Sequence, residues 1–410
     1  MILHDNRKRS AIVCFIILFS ALNFFAQSAS TDSPQFTTVI IPSGADPDAL
    51  AVADINADGV PDIVAVNPAS GTVTVLLGDR NLHFRPAAGS PFAAGQQPTS
   101  VGIGDFNADG HSDLLIANHQ TSYVTLLLGD GKGGFRPAPH SPFTVNAKPH
   151  PHGVAIGHFC GNDQPLDAVI DSWGTEQVEL LIGDGRGGLK NGPMFPAGPG
   201  SDLPLRSADL NRDGFLDIVM PDTAIGRWNA NRVSVLLGDG KCGFHAAPGS
   251  PFPAGAVPWS IAVGDLDSDG IPDMVLTPYG PQVRDPHQIA ATVLLGDGAG
   301  AFHPMPGSPF ALPGCASPRR VALGSISGDR LRDFAVTCAN TSSVLLFLGQ
   351  QKGGFRLTTL DVASASDPVR STAGSPPERG ILFADLTGQG KDDLIISNGS
   401  AGTITLLLPK

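Results

Sequence analysis

Four stretches of this sequence place aspartate or asparagine at alternate positions, followed by a glycine and a further aspartate. In one of them Asp105, Asn107 and Asp109 alternate, Gly110 follows, and Asp113 ends the motif. The alternation turns the first, third and fifth side chains to one side, and the glycine permits a tight turn. The seventh residue can offer its backbone carbonyl and the ninth its carboxylate. Calcium takes about six to eight oxygen ligands, so the spacing predicts calcium-binding loops.

We therefore predict about four structural Ca²⁺ ions, each held by the first, third, fifth, seventh and ninth residues of one loop. The predicted ligands are Asp54, Asn56, Asp58, Val60 and Asp62; Asp105, Asn107, Asp109, His111 and Asp113; Asp209, Asn211, Asp213, Phe215 and Asp217; and Asp265, Asp267, Asp269, Ile271 and Asp273. An EF-hand is excluded, because its twelfth position requires glutamate and these loops are apolar there. Metal-free Asx turns are the alternative. They are disfavoured because clustered carboxylates repel one another without a cation.

Three incomplete copies of the loop begin at His158, Ser325 and Asp385. The first carries His158 and Cys160 where oxygen donors are expected. This suggests either a zinc site with softer ligands or, as the preferred interpretation, a loop that has lost its metal. The copy at Ser325 lacks its first two donors and is predicted to be empty. The seven copies begin 51 to 60 residues apart, a period typical of repeat architectures.

Each repeat contains four short runs with strand character, separated by glycine and aspartate turns. In the second repeat these are residues 100–104, DLLIAN, YVTLLLG and FRPA. Together they predict one four-stranded propeller blade. The SPF segments that end most repeats are expected to carry the chain to the next blade. No helical apolar periodicity is present, so the fold class is all-β.

The two ends of the chain predict how the ring closes. The last repeat stops after its third run, residues 402–408, whereas residues 36–41, FTTVII, precede the first loop as an unpaired fourth run. We predict a seven-bladed β-propeller over residues 31–410, closed by its N-terminal strand. The aspartate loop followed by LLGDGxGGF resembles the FG-GAP or VCBS repeat of integrin α-subunit propellers and secreted bacterial proteins. The resemblance spans residues 36–410 and implies adhesion, glycan binding or, in some relatives, polysaccharide lyase activity.

Residues 1–30 resemble a secretory signal peptide, with Arg7, Lys8 and Arg9 before an apolar segment at 11–26 and small residues after it. An uncleaved membrane anchor is the alternative, disfavoured because sixteen apolar residues are short for a span. The mature chain keeps 23 basic and 37 acidic residues, which argues against nucleic acid as a partner. We expect a secreted protein, extracellular or periplasmic, that is monomeric and has no membrane span.

Four cysteines remain after residue 30, and they permit three disulfide pairings that the sequence does not decide. Cys315 and Cys338 are the favoured pair, because they are nearest in sequence and fall within one repeat. The other two are Cys160 and Cys242.

The strand order places both sets of glycine-rich loops on one face, here called the lower face. The connections between second and third strands, and between blades, form the upper face. Every tryptophan and tyrosine is predicted to lie on this upper face: Tyr123, Trp173, Trp228, Trp259 and Tyr279. These rings either cap the propeller core or form a binding surface, since they combine apolar faces with a polar edge.

Two features favour a binding surface. The connections of the fourth and fifth blades, residues 221–232 and 277–290, are the longest of their kind, and long loops on a rigid scaffold concentrate function. One position per blade, six residues before each loop, also varies widely around the axis. The predicted ligand-binding residues are Trp228, Trp259, Tyr279, Arg227, Arg284, Asp222, His287, His152 and Arg319.

These observations predict a non-catalytic module that binds an extracellular glycan or protein. A polysaccharide-active enzyme, similar to a lyase, is the alternative. No G-x-S-x-G or H-E-x-x-H motif is present, and glutamates are scarce. A catalytic carboxylate pair would therefore need aspartates outside the loops, such as Asp48, Asp222 or Asp285.

Overall fold

Glycine and aspartate turns divide the chain into short antiparallel strands, and these form seven separate sheets arranged as the blades of a ring. The computed structural model describes residues 34–410 except 45, 120, 147–150, 173–175, 198–204, 223–230, 284, 330, 340, 352 and 363–379. The predicted signal peptide lies outside the described residues. Pro34–Lys410 is one compact unit. Within the described ranges, no helix is both long and apolar enough to cross a membrane.

Each blade has an inner, a second, a third and an outer strand. The inner strands, nearest the axis, are Leu50–Ala53, Pro98–Gly104, Val154–Gly157, Arg206–Ala208, Pro258–Gly264, Pro318–Gly324 and Ile381–Ala384. The second strands are Asp62–Asn67, Asp113–Asn118, Asp167–Ser172, Asp217–Asp222, Asp273–Pro278, Asp333–Cys338 and Asp393–Asn398. The third strands are Thr72–Leu77, Tyr123–Gly129, Gln177–Gly183, Arg232–Gly238, Ala290–Gly296, Ser343–Gly349 and Thr403–Pro409.

The outer strands differ between blades. They are continuous in blades 3, 6 and 7, as Leu189–Pro196, Phe355–Asp361 and Phe36–Pro42. In four blades the outer strand is split into two parts. The parts are Arg85–Pro86 and Phe92–Ala93 in blade 1, Phe135–Pro137 and Phe143–Thr144 in blade 2, Phe244–Ala246 and Phe252–Pro253 in blade 4, and Phe302–Pro304 and Phe310–Ala311 in blade 5. Among the described residues there are three short 3₁₀ helices, Gly280–Gln282, Pro286–Gln288 and Gly399–Ala401.

The SPF segments belong to their own blade, which refines the expectation that they only lead to the next one. The phenylalanine begins the second part of the outer strand and pairs with the third strand, as Phe92 does with Val73. The serine hydroxyl accepts a hydrogen bond from the third strand, from Val75 N to Ser90 Oγ at 2.9 Å. The segment therefore continues the outer edge past a break in the strand.

The core lies between the blades. Second strands such as Asp62–Asn67 and Asp113–Asn118 are buried at every residue, because a neighbouring blade covers each of their faces. Val64 and Val66 of blade 1 pack in one cluster with Leu114 and Ile116 of blade 2. Strands covered on both faces need continuous apolar runs, which explains why the second and third strands lack polar alternation.

The predicted ring closure is confirmed. Phe36–Pro42 pairs antiparallel with Thr403–Pro409, with Val39 opposite Leu406. Lys410 N also donates to the carbonyl of Gln35 at 2.9 Å. Blade 7 therefore takes its outer strand from the beginning of the chain and its other three strands from the end.

Candidate functional site

The lower face carries the aspartate loops, and their first residue organises the turn. Asp54 Oδ1 accepts a hydrogen bond from Asp58 N at 3.1 Å, and its Oδ2 accepts one from Gly59 N at 2.8 Å. Asn56 Oδ1 also accepts from Asp58 N, at 3.0 Å. The φ of Gly59 is +78°, a left-handed value that glycine adopts without strain. The loops beginning at Asp105 and Asp209 repeat these bonds.

The fifth-blade loop brings three carboxylates closest together. One oxygen from each of Asp265, Asp267 and Asp269 lies within 4.8 Å of the others. Burial raises the pKa of Asp267, and the negative charges of Asp269 and Asp265 raise it further. Three converging hard oxygen donors suit Ca²⁺, and a cation would offset their repulsion. The chemistry of this donor set fits the predicted metal, with Asp265, Asp267 and Asp269 as the residues that would hold it.

The ninth residue of each loop is more deeply buried than the predicted calcium ligands before it. Asp113 Oδ2 accepts from Phe106 N at 2.8 Å, and its Oδ1 accepts from Gly129 N at 2.9 Å. Burial raises the pKa of Asp113 to about 6 against the lowering effect of these bonds. This aspartate joins the loop to the end of the third strand, so both glycine-rich loop sets lie on the same face as predicted.

The seventh residues of the four loops, predicted as carbonyl donors, are held through their own N–H groups. Val60 N donates to Asp58 Oδ1 at 2.8 Å, and His111 N donates to Asp109 Oδ1 at 2.9 Å. Phe215 and Ile271 make the same bond to Asp213 and Asp269. The loop backbone is therefore fixed where the predicted carbonyl ligands lie.

The incomplete loop of blade 3 contains a disulfide. Cys160 is bonded to Cys242, in the turn before the outer strand of blade 4. A zinc thiolate at Cys160 is thereby excluded. His158 Nδ1 lies 2.6 Å from the carbonyl oxygen of Gln164. The favoured Cys315–Cys338 pair is confirmed as the second disulfide.

On the upper face, three of the predicted ligand-binding residues form one stack. The rings of Trp259 and Tyr279 are 4.3 Å apart at an interplanar angle of 27°. The guanidinium carbon of Arg319 lies 5.1 Å from the centroid of the Tyr279 ring. Trp259 is 9% exposed and Arg319 is 1% exposed. Trp259 therefore caps the core in this arrangement, and its ring presents no open face of the kind a stacked sugar needs.

After the partly exposed Tyr279, the chain continues into the connection between the second and third strands of blade 5. Asp285, His287 and Gln288 are exposed there. Asp285 Oδ1 accepts from His287 N at 3.0 Å and caps the helix Pro286–Gln288. A side chain at Gly280 would collide with the backbone of Ala316. The connection thus packs closely against the next blade while its outer residues face solvent.

His152 lies at the same upper rim, in blade 3. His152 N and Gly153 N both donate to Asp171 Oδ1, at 2.8 Å and 2.6 Å, and His152 Nδ1 is 3.3 Å from Asp171 Oδ2. The ring of His152 packs 4.6 Å from that of His119. Asp171 is not among the ligand-binding residues predicted from the sequence. Its signal was an acidic residue four positions after the aspartate that opens the second strand, where the other blades have Val66, Ala117, Pro221, Thr277, Thr337 and Ser397.

Asp222 ends the second strand of blade 4 and is 1% exposed. Neither of its carboxylate oxygens has a hydrogen-bond partner among the described residues. Burial raises the pKa of Asp222 to about 7, Arg232 lowers it, and Glu176 raises it further. The other predicted ligand-binding residues, Arg227, Trp228 and Arg284, lie outside the described residues, as does Trp173.

Comparison with known proteins adds two findings. Residues 54–116 and 220–276 match the model of the FG-GAP-like repeat. No curated protein sequence matches the chain.

Many solved structures share the fold. BBS1N, in a complex with ARL6DN soaked with mercury, is 11% identical with a TM-score of 0.58, over 92% of this chain and 98% of that one. An Agrocybe aegerita lectin specific for non-reducing terminal N-acetylglucosamine is 16% identical with a TM-score of 0.50, over 78% of this chain and 81% of that one. At these identities the similarity concerns the fold.

Proposed function

The chain is an FG-GAP repeat β-propeller, and we propose that it is a secreted, non-catalytic module that binds a glycan through its upper face. Calcium in the lower loops would hold the blades rigid. Its two disulfides are of a kind that persists outside the reducing cytosol. This supports the secretion that the first 30 residues suggest.

The contrast between the two faces carries this proposal. On the lower face the same loop recurs with the same hydrogen bonds, which is how a repeated structural element behaves. At the upper rim the position six residues before each loop changes chemistry from blade to blade, and its described members are Asp48, Thr99, His152, Trp259 and Arg319. Thr99 Oγ1 donates to the carbonyl of His152 at 3.0 Å, so this position makes contact across neighbouring blades. Trp259 and Arg319 are buried, so Asp48, Thr99 and His152 are the described members that can reach a ligand, and varied groups on a fixed scaffold are typical of a binding surface.

The blade 5 connection supplies the accessible part of this surface. His287 and Gln288 offer donors and acceptors to a ligand, and the 3₁₀ helix Pro286–Gln288 to which they belong limits the entropy lost on binding. The buried Trp259 acts as support for Tyr279, whose own ring is partly exposed. A β-propeller with this fold serves as a lectin in Agrocybe aegerita, so the scaffold is compatible with glycan binding.

A glycan and cell-wall polysaccharide array tests the proposal. The double variant His287→Ala, Gln288→Ala should retain wild-type melting and lose most of the array signal. The matched control is His245→Ala, an exposed histidine on the outer strand of blade 4, which should bind as the wild type does.

Three results would contradict the proposal. Binding that survives the double variant would place the site elsewhere. Release of sugar products from any polysaccharide would instead favour the enzyme interpretation. A wild-type protein that binds no glycan but captures a purified protein ligand would move the proposal to the protein-binding class.

A further inference from the structure

Arg319 is a buried charge that has no counter-charge in the described part of the chain. Its side chain is 1% exposed, its Nε is buried without a hydrogen-bond partner, and no ion pair of its guanidinium is found among those residues. It lies against the ring of Tyr279, whose centroid is 5.1 Å from the guanidinium carbon. Arginine stays charged throughout the physiological pH range. A cation–π contact of this kind offsets only part of the cost of burying an unpaired charge.

The neighbouring indole is a donor that also lacks an acceptor. Trp259 lies against the same tyrosine ring, with the ring centroids 4.3 Å apart. Its buried Nε1, which can only donate, has no hydrogen-bond partner within the described ranges. Asp285 is the one acidic residue in the connection at 277–290, and it is exposed and caps the helix that follows it. This connection therefore supplies no carboxylate to Arg319.

Two hydroxyls add further donors at this junction of blades 5 and 6. Ser317 Oγ and Thr277 Oγ1 are buried, and neither has a hydrogen-bond partner among the residues that the structure describes. Ser317 packs against Gly280, because a side chain added there would come within 2.7 Å of the Cα of Ser317. Thr277 is the cross-strand partner of Ser260, the residue that follows Trp259. Buried polar groups nearly always have a partner, so their concentration at one junction points to a bound group that accepts from them.

The fold does not require an arginine here. Arg319 and Trp259 occupy the position six residues before the loop, where blade 2 has Thr99 and blade 4 has Leu203. In blades 2, 5 and 6 the register between the inner and second strands shifts at this position, and such bulges redirect a side chain. Because uncharged residues serve at this position in other blades, the arginine has a role other than blade packing.

We propose that Arg319 and Trp259 hold a small monovalent anion, of which chloride is the simplest example, with the hydroxyls of Ser317 and Thr277 as further donors. The anion is small because Arg319 and Trp259 are only 1% and 9% exposed, which leaves a glycan no access to them. It is monovalent because Arg319 supplies one positive charge in a chain of net charge −12, where a second negative charge is repelled. Charge-assisted hydrogen bonds from a guanidinium to an anion are strong. This inference goes beyond the proposed glycan binding and does not depend on it.

The test is the melting temperature of the intact protein during a chloride titration, with sodium gluconate replacing chloride at constant ionic strength and with calcium held constant. An ion that binds only the folded state stabilises it in proportion to its occupancy, so we expect a saturable rise for the wild type. Arg319→Leu, which installs the residue of blade 4, should abolish this rise. Trp259→Phe keeps an aromatic ring without the N–H and should raise the half-saturating chloride concentration about tenfold. Arg186→Leu, in an exposed turn of the lower face, should respond as the wild type does.

A second measurement separates an anion site from a purely structural arginine. In gluconate alone, Arg319→Leu should melt at or above the temperature of the wild type, because the substitution removes a buried charge that the chain leaves unpaired. An arginine paired within the protein would instead lose stability on this substitution. Crystals grown with bromide in place of chloride should also show anomalous scattering within hydrogen-bond reach of the Arg319 guanidinium.

Several results would overturn the inference. These are a wild type without a saturable response, the same response in Arg319→Leu, an equal loss in Arg186→Leu, or a bromide site found only away from Arg319. Sulfate that stabilises the wild type more than chloride, and does so only while Arg319 is present, would overturn the assignment to a monovalent anion. Should Arg319→Leu fail to fold, Arg319→Gln and Trp259→Phe still decide the question.

Discussion

At the scale of single residues, the aspartate that opens each second strand has a structural role that the other loop aspartates lack. In all seven blades it accepts a hydrogen bond from the backbone N–H seven residues earlier, as in Asp62 with Ile55 and Asp333 with Ile326. The incomplete loops keep this residue, as Asp167, Asp333 and Asp393, although they have lost other donors. The retained aspartate therefore stabilises the blade irrespective of metal.

Replacing Asp113 with alanine should destabilise the protein far more than replacing Asp109 when both are measured with a calcium chelator. Asp113→Ala leaves the buried N–H of Phe106 and the half-buried N–H of Gly129 without acceptors, which costs about 2–5 kcal/mol in total. Asp109 is exposed, so Asp109→Ala should lower the free energy of unfolding by less than about 1 kcal/mol. Denaturant unfolding measures both values. Equal losses would refute the structural role of Asp113.

Calcium removal should lower the melting temperature, because an ion that binds only the folded state stabilises it by about 2.7 kcal/mol at one hundred times its Kd. Metal analysis of the purified protein should find about four equivalents, and Asp267→Ala should lose one. The control is Asp329→Ala, in the incomplete loop that begins at Ser325, and this variant should lose no calcium. A protein that contains no calcium and is insensitive to chelator would mean that the loops are Asx turns.

Asp222 should make stability fall as pH rises. Its pKa is raised from 3.8 to about 7 by burial, so the folded state binds the proton more tightly than the unfolded state does. The contribution of Asp222 to the free energy of unfolding is fully present below about pH 4. It is lost as pH rises through 7, at up to about 1.4 kcal/mol per pH unit. Asp222→Asn should make the slope shallower in denaturant unfolding between pH 4 and 8, and buried aspartates such as Asp113, whose pKa is raised to about 6, should keep the rest of it. A slope that does not change would contradict the inference that Asp222 is a buried carboxylate with a raised pKa.

At the scale of elements, two loops that lack calcium donors are tied to the following blade by other means. In blade 3 the Cys160–Cys242 disulfide crosses to blade 4, where Cys242 N also donates to the carbonyl of Phe159 at 3.2 Å. In blade 6, Ser325 N donates to Asp392 Oδ2 at 2.7 Å, and Arg332 lies 3.8 Å from the same oxygen. Exposed ion pairs of this kind contribute little, so the disulfide is the stronger of the two ties.

The two disulfides should differ in their effect on stability. Cys160 and Cys242 are 82 residues apart, and Cys315 and Cys338 are 23 apart. Loop-closure entropy predicts losses of about 4.5 and about 3.4 kcal/mol for their respective double alanine variants. Unfolding by denaturant under non-reducing conditions compares the variants directly. A larger loss for the Cys315–Cys338 variant would mean that strain or unfolded-state structure dominates over entropy.

At the scale of the whole molecule, the ring depends on one strand from the far end of the chain. Phe36–Pro42 covers the third strand of blade 7, and its Ile41 is 4% exposed in a cluster that also contains Leu76 of blade 1. The strand therefore closes blade 7 and seals the junction between the last blade and the first.

Removing this strand should open the ring. A chain that begins at Gly44 should lose at least about 3 kcal/mol relative to one that begins at Pro34, since burying a side chain such as Ile41 alone contributes about 1.5–3 kcal/mol. Limited proteolysis should then cut blade 7 first. Equal melting and equal protease resistance of the two chains would show that closure does not depend on the strand.

The sequence by itself determined the blade count, the strand order and the closure, because each repeat encodes the same local turns and because residues 36–41 had no partner within their own repeat. It also predicted the loop faces and favoured the Cys315–Cys338 disulfide without deciding the pairing. It could not reveal that Trp259 and Arg319 are buried in a stack with Tyr279, since burial depends on how neighbouring blades pack.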